Sequence, residues 1–332
     1  MLAAEAADRA DDLLPTASLE MLRLRAELLR RLRGFFDERG FLEVETPILS
    51  ADTVVDRHLD PFATGICGEL GKPPRRLWLQ TSPEFHMKRL LAAGAGPIYQ
   101  VSRVFRLGER GRLHNPEFTL VEWYQPGEDM AAGMRFTNEL CQALLGCERA
   151  EELSYATAFA RHVGVDPHRA SGAELAQAAR RLGIAAPTSL SEEDRDGWID
   201  LLLSHCVQPH LGAERPTLLF DYPAGQAALA RVRPCDPPVA ERFELFFRGI
   251  ELANGYHELL DAEELERRNE RANALRAADG KNTLPEGSRL LKVMQKGLPP
   301  AVGVAMGFDR VAMLAAGAAS IDEVIAFPLE RA

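Results

Sequence analysis

Three short segments combine residue types that suit phosphate, base and cation binding. The first is VFRLGERGRLHNPEFTLVEWY, residues 104–124. Arg106 ends a predicted strand, where its guanidinium could hold a phosphate through two hydrogen bonds. Further along, Asn115 could offer its amide to a base edge, Phe118 could stack on a base, and Glu122 adds a carboxylate. A solvated hairpin with a charged tip is the alternative interpretation.

The second segment, FELFFRGIELANGYHEL (residues 243–259), places acids on a predicted hairpin. A two-residue turn at Arg248–Gly249 would pair Glu244 with Ala253. Because side chains alternate between the faces of a strand, Glu244 and Glu251 would emerge on one face as diagonal neighbours, about 7–8 Å apart. Two such carboxylates could share a Mg²⁺ ion with substrate phosphates, as is usual in nucleotide enzymes.

Glu258 lies an odd number of residues beyond Glu251 and would face away from it in a regular strand. A β-bulge at Asn254–Gly255 would restore the common face, and glycine is a frequent bulge residue. The alternative for the whole segment is an edge strand with solvated acids.

The third segment is AVGVAMGFDRVAML, residues 301–314. Small residues on a strand allow a flat ligand to approach the backbone closely. Arg310 falls in the first turn of the following helix, where it could stack on a base or pair with a phosphate. A closely packed strand–helix joint with a surface arginine would explain the same residues.

These segments need a sheet that brings distant parts of the chain together. Alternating apolar and polar residues predict strands at Leu77–Gln80, Ile98–Val104, Glu117–Tyr124, Arg242–Phe247, Ile250–Ala253 and Val302–Met306. Because the strands come from both ends of the chain and have hairpin-type links, we expect an α+β fold with an antiparallel sheet flanked by helices. Helical patterns are predicted at Gly172–Leu182, Glu192–Cys206, 261–278 and Phe308–Ala316. The Ala-, Leu-, Glu- and Arg-rich stretch from about 128 to 215 indicates a helical insertion.

The start of the chain divides into a loose tail and the beginning of one catalytic domain, residues 18–332. Residues 1–17 are rich in Ala and Asp and predict a flexible tail. Ser18 is a good helix N-cap, and apolar residues recur at helical spacing from Leu19 until Gly40, which is typical of a helix end. The following FLEVETPIL alternates in polarity and predicts a strand that runs into Pro47.

Composition limits the classes of partner. The net charge is −10, whereas a protein that binds mainly to a nucleic-acid backbone usually has a basic surface. The five cysteines are odd in number and lack CxxC spacing, so we expect reduced thiols, no structural zinc site and a cytoplasmic location. No signal peptide or apolar run of about 20 residues is present, so we expect no membrane partner.

Taken along the chain, FLEVETPIL and the first and third of these segments resemble the three signature motifs of class II aminoacyl-tRNA synthetases, most closely the lysyl type. FLEVETPIL resembles motif 1, FRLGERGRLHNPEFTLVEWY resembles motif 2, and GVAMGFDRVAML resembles motif 3. TSPEFHMKRL, residues 81–90, resembles the lysyl-type segment that carries an acidic amino-acid-binding residue. The resemblance runs from about residue 19 to the C-terminus and implies an ATP- and Mg²⁺-dependent enzyme that forms an aminoacyl-adenylate. It also implies a homodimer formed through motif 1.

The chain departs from lysyl-tRNA synthetases before motif 1, where only about 40 residues stand. Because an OB-fold needs more, we expect no anticodon-binding domain and no anticodon recognition of tRNA. The chain is most similar to stand-alone relatives that attach lysine or (R)-β-lysine to a lysine ε-amino group of elongation factor P. The alternatives are a synthetase paralogue that loads another acceptor, such as an amine or a tRNA minihelix, and an inactive paralogue that only binds a partner.

The resemblance assigns roles to residues of each motif. Arg106 and Arg310 would be catalytic, and Glu244 and Glu251 would bind Mg²⁺. The residues expected to bind ATP are Arg106, Leu107, Gly108, Glu109, His114, Asn115, Phe118, Glu251, Leu252, Gly307 and Arg310. Those expected to bind the amino acid are Ser82, Pro83, Glu84, Glu122, Tyr124, Asn254, Glu258 and Ala305, with Glu122 and Glu258 the best candidates for the ε-ammonium.

Two positions depart from the lysyl-type motifs. Motif 2 usually has glutamate where Gly108 stands, so Glu109 is the candidate replacement for the contact to the adenine amino group. Lysyl-tRNA synthetases have glycine where Ala305 stands, so the additional methyl group would alter the floor of the pocket.

Overall fold

The computed structural model describes residues 13–66, 75–188 and 190–332. Most of the predicted N-terminal tail, residues 1–12, and Cys67 lie outside these ranges. The helices are α1 (Leu19–Asp37), α2 (Glu84–Ala92), α3 (Met130–Leu145), α4 (Tyr155–His162), α5 (Gly172–Arg181), α6 (Arg195–Leu202), α7 (Ala262–Ala278), α8 (Arg289–Met294) and α9 (Phe308–Ala316). The strands are β1 (Leu42–Glu43), β2 (Leu49–Ser50), β3 (Ala63–Ile66), β4 (Arg75–Leu79), β5 (Ile98–Phe105), β6 (Glu117–Pro126), β7 (Glu151–Ser154), β8 (Thr217–Pro223), β9 (Val232–Arg233), β10 (Val239–Phe247), β11 (Ile250–His257) and β12 (Ala301–Gly307).

The main sheet joins strands from both ends of the chain, as predicted, in the order β1-β5-β6-β12-β11-β10-β8-β7, with β9 paired to β10. Its centre, from β5 to β8, is antiparallel. The outermost pairs, β1 with β5 and β7 with β8, are parallel. The α+β class is therefore confirmed, but the sheet is mixed rather than purely antiparallel.

The first helix follows its sequence signals. The Ser18 hydroxyl accepts a hydrogen bond from the Met21 amide at the start of α1, and Gly40 adopts a positive φ of 72° just beyond its end. The single strand predicted for FLEVETPIL is wrong, because the segment forms the two short strands β1 and β2 in different sheets. Pro47 lies between them, where it cannot donate to a ladder.

One face of the main sheet is covered by helices and forms the largest apolar core. Helices α1, α3 and α9 pack on this face, and Phe36 stacks on Tyr99 with ring centroids 4.2 Å apart. Val121 and Trp123 of β6 are completely buried there. Because strand side chains alternate, Phe118, Glu122 and the other residues in phase with them face the opposite side.

The stretch predicted as a helical insertion is not helical throughout. Helix α3 packs into the main core, and β7 adds a strand to the main sheet. A separate apolar cluster under α4, α5 and α6 includes Phe159, Leu175 and Ile199. The helix predicted for Glu192–Cys206 begins only after Asp194, whose carboxylate caps the Gly197 amide, and α6 gives way to a π-helical turn over Leu203–Val207.

The β10–β11 hairpin has an irregular register that the sequence analysis misplaced. Phe246 pairs with Glu251 as a turn at Arg248–Gly249 requires, but Glu244 pairs with Asn254 rather than with Ala253. The register shifts between Leu245 and Phe246, opposite a bulge at Leu252. The predicted bulge at Asn254–Gly255 is therefore wrong in position.

Two further observations bear on the class of protein. Cys141, Cys147, Cys206 and Cys235 are free thiols. Among the residues for which the model gives a structure, no helix is both long and apolar enough to cross a membrane.

Candidate active site

The open face of the main sheet carries polar residues in two adjacent rows that cross five strands. Directly paired residues of β5, β6, β12, β11 and β10 form the first row, which reads Gln100, Glu122, Ala305, Asn254 and Glu244. The second row, two residues along each strand, reads Ile98, Tyr124, Gly303, Tyr256 and Arg242. The sheet thus brings motif 2, motif 3 and the acidic hairpin of residues 243–259 onto one surface.

Glu122 lies at the buried end of this surface and is 2% exposed. The Ser82 hydroxyl donates to Glu122 Oε2 at 2.6 Å, and the Tyr124 hydroxyl donates to Oε1 at 2.6 Å. Burial, followed by repulsion from Glu84, raises the pKa of Glu122 to about 7 in spite of these hydrogen bonds. A cation placed beside Glu122 would therefore meet a carboxylate that has too few positive partners.

Two further carboxylates, Glu84 in the first turn of α2 and Glu258 after β11, lie on either side of Lys88. Lys88 Nζ lies 2.5 Å from Glu84 Oε1 and 2.5 Å from Glu258 Oε2, and the lysine is 1% exposed. The backbone amide of Glu84 donates to the Ser82 hydroxyl, which links this helix start to Glu122. Pro83 is buried at the N-cap position of α2.

Glu258 follows β11 and is completely buried beside this lysine. Burial raises the pKa of Glu258 to about 8, with Lys88 opposing and Glu84 adding to the shift. Burial alone would lower the pKa of Lys88, but Glu258 and Glu84 outweigh it and raise that pKa above its usual range. The ammonium therefore stays charged and holds both carboxylates.

Two small residues of β12 shape the floor between these acids. A methyl group on Gly303 would lie 2.2 Å from Glu258 Oε1 and 2.4 Å from the Tyr124 ring, so only glycine fits. Ala305 pairs with Glu122 on one side and Asn254 on the other, and its side chain faces the same surface. Its methyl group therefore lies between two of the predicted amino-acid-binding residues.

Glu244 and Glu251 lie on facing strands at the other side of the surface. Glu244 is buried, and Arg242 donates to Glu244 Oε1 at 2.5 Å and to the Gln226 carbonyl at 2.8 Å. Burial raises the pKa of Glu244, and repulsion from Glu251 adds to the shift, so the two carboxylates are electrostatic neighbours. In the described ranges, no group of three or more Asp, Glu, His or Cys residues could hold a metal ion.

Arg310 and His114 meet beside Glu251. Arg310 Nη1 donates to the Glu251 carbonyl at 2.9 Å and lies 3.7 Å from its carboxylate, while Nη2 is 2.7 Å from His114 Nε2. Because a guanidinium can only donate, His114 Nε2 is the acceptor. Burial lowers the pKa of His114, and the positive charge of Arg310 lowers it further, so the imidazole is neutral.

The motif 2 hairpin contributes the second guanidinium. Arg106 follows β5 directly, and its guanidinium carbon is 5.0 Å from the centroid of the Phe118 ring. Glu109 Oε1 is 3.7 Å from Arg106 Nη1, which brings the candidate replacement for the missing glutamate to the site. Leu107 and Gly108 are exposed, and Gly108 has a positive φ of 83° that suits glycine at this turn.

Asn115 differs from the expectation that its amide is free to meet a base edge. Its Nδ2 donates to the Glu117 carbonyl at 2.6 Å, and its Oδ1 accepts from the Leu329 amide at 3.1 Å. The residue is 4% exposed. Asn115 therefore fastens the C-terminal segment to the hairpin, and in this arrangement both ends of its amide are engaged.

Gly307 and Leu252 complete the surface near Arg310. A methyl group on Gly307 would lie 3.7 Å from Arg310 Cδ and 3.9 Å from the Leu252 carbonyl oxygen. The backbones of Gly307 and Leu252 are thus close, whereas the Leu252 side chain is buried in the apolar core.

Sequence reasoning missed two charged residues that organise this site. Lys88 stands in TSPEFHMKRL four residues after Glu84, a spacing that puts both on one face of a helix. Arg242 stands two residues before Glu244 and shares its face of β10. These spacings were the available signals, but burial of the two cations depends on contacts between distant elements.

The surface thus has two chemically different ends. Arg106, Arg310 and the neutral His114 suit a nucleotide with phosphates, and Glu84, Glu122 and Glu258 suit a ligand with ammonium groups. Such a ligand would have its carboxylate directed along the floor toward the phosphates.

Comparison with known proteins agrees with this geometry. Residues 3–331 match the family described as tRNA synthetases class II (D, K and N). Similar proteins named elongation factor P–(R)-beta-lysine ligase occur in Klebsiella pneumoniae subsp. pneumoniae, Salmonella paratyphi B and Salmonella schwarzengrund. Each is 49% identical to this chain over 318 residues, which cover 96% of this chain and 98% of that protein.

Proposed function

Since the chain belongs to the class II tRNA synthetase family (D, K and N), we propose that it activates (R)-β-lysine or lysine with ATP and transfers it to a lysine ε-amino group of elongation factor P. The enzyme is an ATP-dependent amino acid ligase. The observation that carries this proposal is the buried set of three carboxylates, Glu84, Glu122 and Glu258, on the sheet surface whose other end carries Arg310. Buried carboxylates need positive partners, and a diamino acid supplies two.

The first half-reaction joins the amino-acid carboxylate to the α-phosphorus of ATP and releases pyrophosphate. Arg106 and Arg310 hold the phosphates, so their positive charge stabilises the negative charge that develops in the transition state. Phe118 and Arg310 enclose the adenine, and Glu109 contacts its amino group. The chain needs no nucleophile of its own, because positioning and electrostatic stabilisation carry the step.

In the second half-reaction, the acceptor ε-amino nitrogen attacks the carbonyl carbon of the adenylate. The new amide bond forms as the bond to the phosphate oxygen breaks, and AMP leaves. Tyr124, Asn254 and Glu258 keep the amino groups of the activated substrate in place during this attack.

Glu244 and Glu251 are suited to a magnesium ion. They are oxygen donors on facing strands, and their mutual repulsion favours a cation between them. Arg242 holds one oxygen of Glu244, which orients that carboxylate. When bound with ATP, Mg²⁺ supplies positive charge that neutralises phosphate oxygens.

A homodimer is part of the proposal. Leu42, Ile48 and Leu49 lie in the segment that resembles motif 1 and are 56%, 42% and 46% exposed. Exposed apolar side chains in one segment favour a protein–protein contact. Sedimentation equilibrium would give the mass of a dimer, and Leu49→Glu would shift it toward monomer; a monomeric wild type would contradict this part.

A cytoplasmic location completes the proposal. Free thiols are usual in that reducing compartment, and elongation factor P acts there in translation. Cell fractionation with an antibody to the chain would test it, and recovery in a membrane or exported fraction would contradict it.

Intact-mass measurement of elongation factor P tests the central proposal. The factor would be incubated with the enzyme, ATP, Mg²⁺ and either lysine isomer. We expect a gain of one lysyl residue, lost when the acceptor lysine is replaced by arginine. Pyrophosphate exchange without RNA is measured in parallel. Exchange without a gain in mass would indicate another acceptor, whereas no exchange with either isomer would reject amino-acid activation.

A further inference from the structure

Lys88 is a buried cation in the middle of the carboxylate pocket. Its ammonium joins Glu84, on its own helix, to Glu258, which follows β11. Glu122 and Tyr124 of β6 also face this group of charges. A buried ion pair stays compensated only while its partners are present, so Lys88 determines how much negative charge remains for a ligand.

The charges in this pocket can be counted. Glu84, Glu122 and Glu258 bring three negative charges when ionised, and Lys88 brings one positive charge. Two carboxylate charges are left, which equals the number of ammonium groups on lysine or β-lysine. A monoamino acid would leave one buried carboxylate charge without a partner, at a cost that a pocket of this kind avoids by taking up a proton.

We propose that Lys88 is a positioning residue that sets the pocket to accept two ammonium groups and holds Glu84 and Glu258 where those groups bind. This inference rests on the proposed function, since it assumes a diamino acid substrate. Lys88 acts through the carboxylates and does not itself contact the reacting atoms.

The state of Glu122 and Glu258 supplies a readout that a merely structural lysine would not change. Both must be ionised to receive ammonium groups, and burial raises their pKa values to about 7 and about 8 in the empty pocket. The value of kcat/KM for the amino acid should therefore rise with pH across this range. This rise is the acid limb of the pH profile. Because the charge of Lys88 lowers both pKa values, removing that charge should move the acid limb to higher pH.

Three variants separate charge from folding. Lys88→Met removes the cation, and Glu84→Gln removes one anion. The double variant removes both and restores the net charge of the pocket, while Glu258 loses its lysine partner. Arg89→Met is the matched control, because it removes a cation from the next position of the same helix. The assay is pyrophosphate exchange with both lysine isomers between about pH 5.5 and about pH 9.5, which extends about one and a half units below the lower and above the higher of the two carboxylate pKa values.

For Lys88→Met we expect the acid limb to rise by at least about one pH unit, so kcat/KM at pH 7 falls about tenfold or more and recovers toward pH 9. Glu84→Gln should shift the acid limb to lower pH, because the negative charge of Glu84 raises the pKa values of Glu122 and Glu258. The acid limb of the double variant should lie near that of the wild type, and Arg89→Met should leave the wild-type limb where it is.

Several results would overturn the inference about Lys88. An acid limb for Lys88→Met that coincides with wild type would do so, whatever the loss of activity. If that variant does not fold, the comparison of the double variant with Glu84→Gln decides, and identical limbs reject the inference. Absence of exchange in the wild type at every pH would instead reject the proposed function itself.

Discussion

Replacing Gly303 with alanine should damage amino-acid binding and leave ATP binding nearly intact. The added methyl group would lie 2.2 Å from Glu258 Oε1 and 2.4 Å from the Tyr124 ring, whereas ordinary contacts begin at 3.4 Å. Glu258 and Tyr124 must therefore each move by about 1 Å, a displacement that can cost about 10²-fold in rate. Overpacking of this kind also lowers the free energy of unfolding by about 1–3 kcal/mol.

The assay for this variant is pyrophosphate exchange at varied amino acid and varied ATP. We expect kcat/KM for lysine or β-lysine to fall about 100-fold, while KM for ATP stays close to wild type. Gly34→Ala is the control, because a methyl group there would have no heavy atom within 4 Å and should raise stability by about 0.5–1 kcal/mol. An unchanged kcat/KM for the amino acid in folded Gly303→Ala would refute the geometry of the pocket floor.

The remaining predictions concern the phosphates, the choice of isomer and stability. Arg106→Ala and Arg310→Ala should each lower kcat for adenylate formation about 10²–10³-fold, since each removes one charge donor; near-normal turnover with a normal circular dichroism spectrum would remove that residue from the site. Ala305→Gly should raise kcat/KM for α-lysine relative to β-lysine by about 10–200-fold, because the pocket loses one methyl group; an equal ratio in both enzymes would exclude a role in specificity. Without substrate, the free energy of unfolding should fall as pH rises from 5 toward 8. The reason is that Glu122 and Glu258 have folded pKa values of about 7 and about 8, above the ordinary 4.5, so the folded chain holds protons that the unfolded chain releases. Urea titrations should show the slope flattened in Glu122→Gln, and a stability that rises with pH over this interval would contradict the raised pKa values.

Local signals predicted most of the sheet and its flanking helices. The Ser18 cap, the alternation around Trp123 and the glycines of β12 each act over a few residues, so they can be read without the fold. The two rows of the site depend on strand pairing, which the sequence analysis predicted only within the β10–β11 hairpin and there with the wrong partner for Glu244. The FLEVETPIL segment shows the limit of such local signals. Its alternation indicated one strand, but the segment forms two short strands with Pro47 between them.

The features that the sequence did not predict arise from contacts between distant elements. Lys88 and Glu258 are 170 positions apart, and nothing in either neighbourhood indicates a 2.5 Å ion pair. Leu252 is an ordinary apolar residue, so no local signal marks the bulge beside it. Asn115 has the residue type of a base-binding group, but its side-chain oxygen already accepts a hydrogen bond from the Leu329 amide.

The bulge at Leu252 gives β11 one residue more than a regular alternation of its faces would need. Leu252 and Ala253 both face the apolar core, so Glu251 and Asn254 share the open surface although they are three residues apart. Without Leu252, Glu251, Ala253 and Asn254 would alternate regularly between the open surface and the core, so Asn254 would stay opposite Glu244 and on the same surface as Glu251. Deleting the Leu252 codon should thus be tolerated better than deleting the Gly255 codon, because a deletion in the regular part of β11 would turn the residues after it to the opposite face.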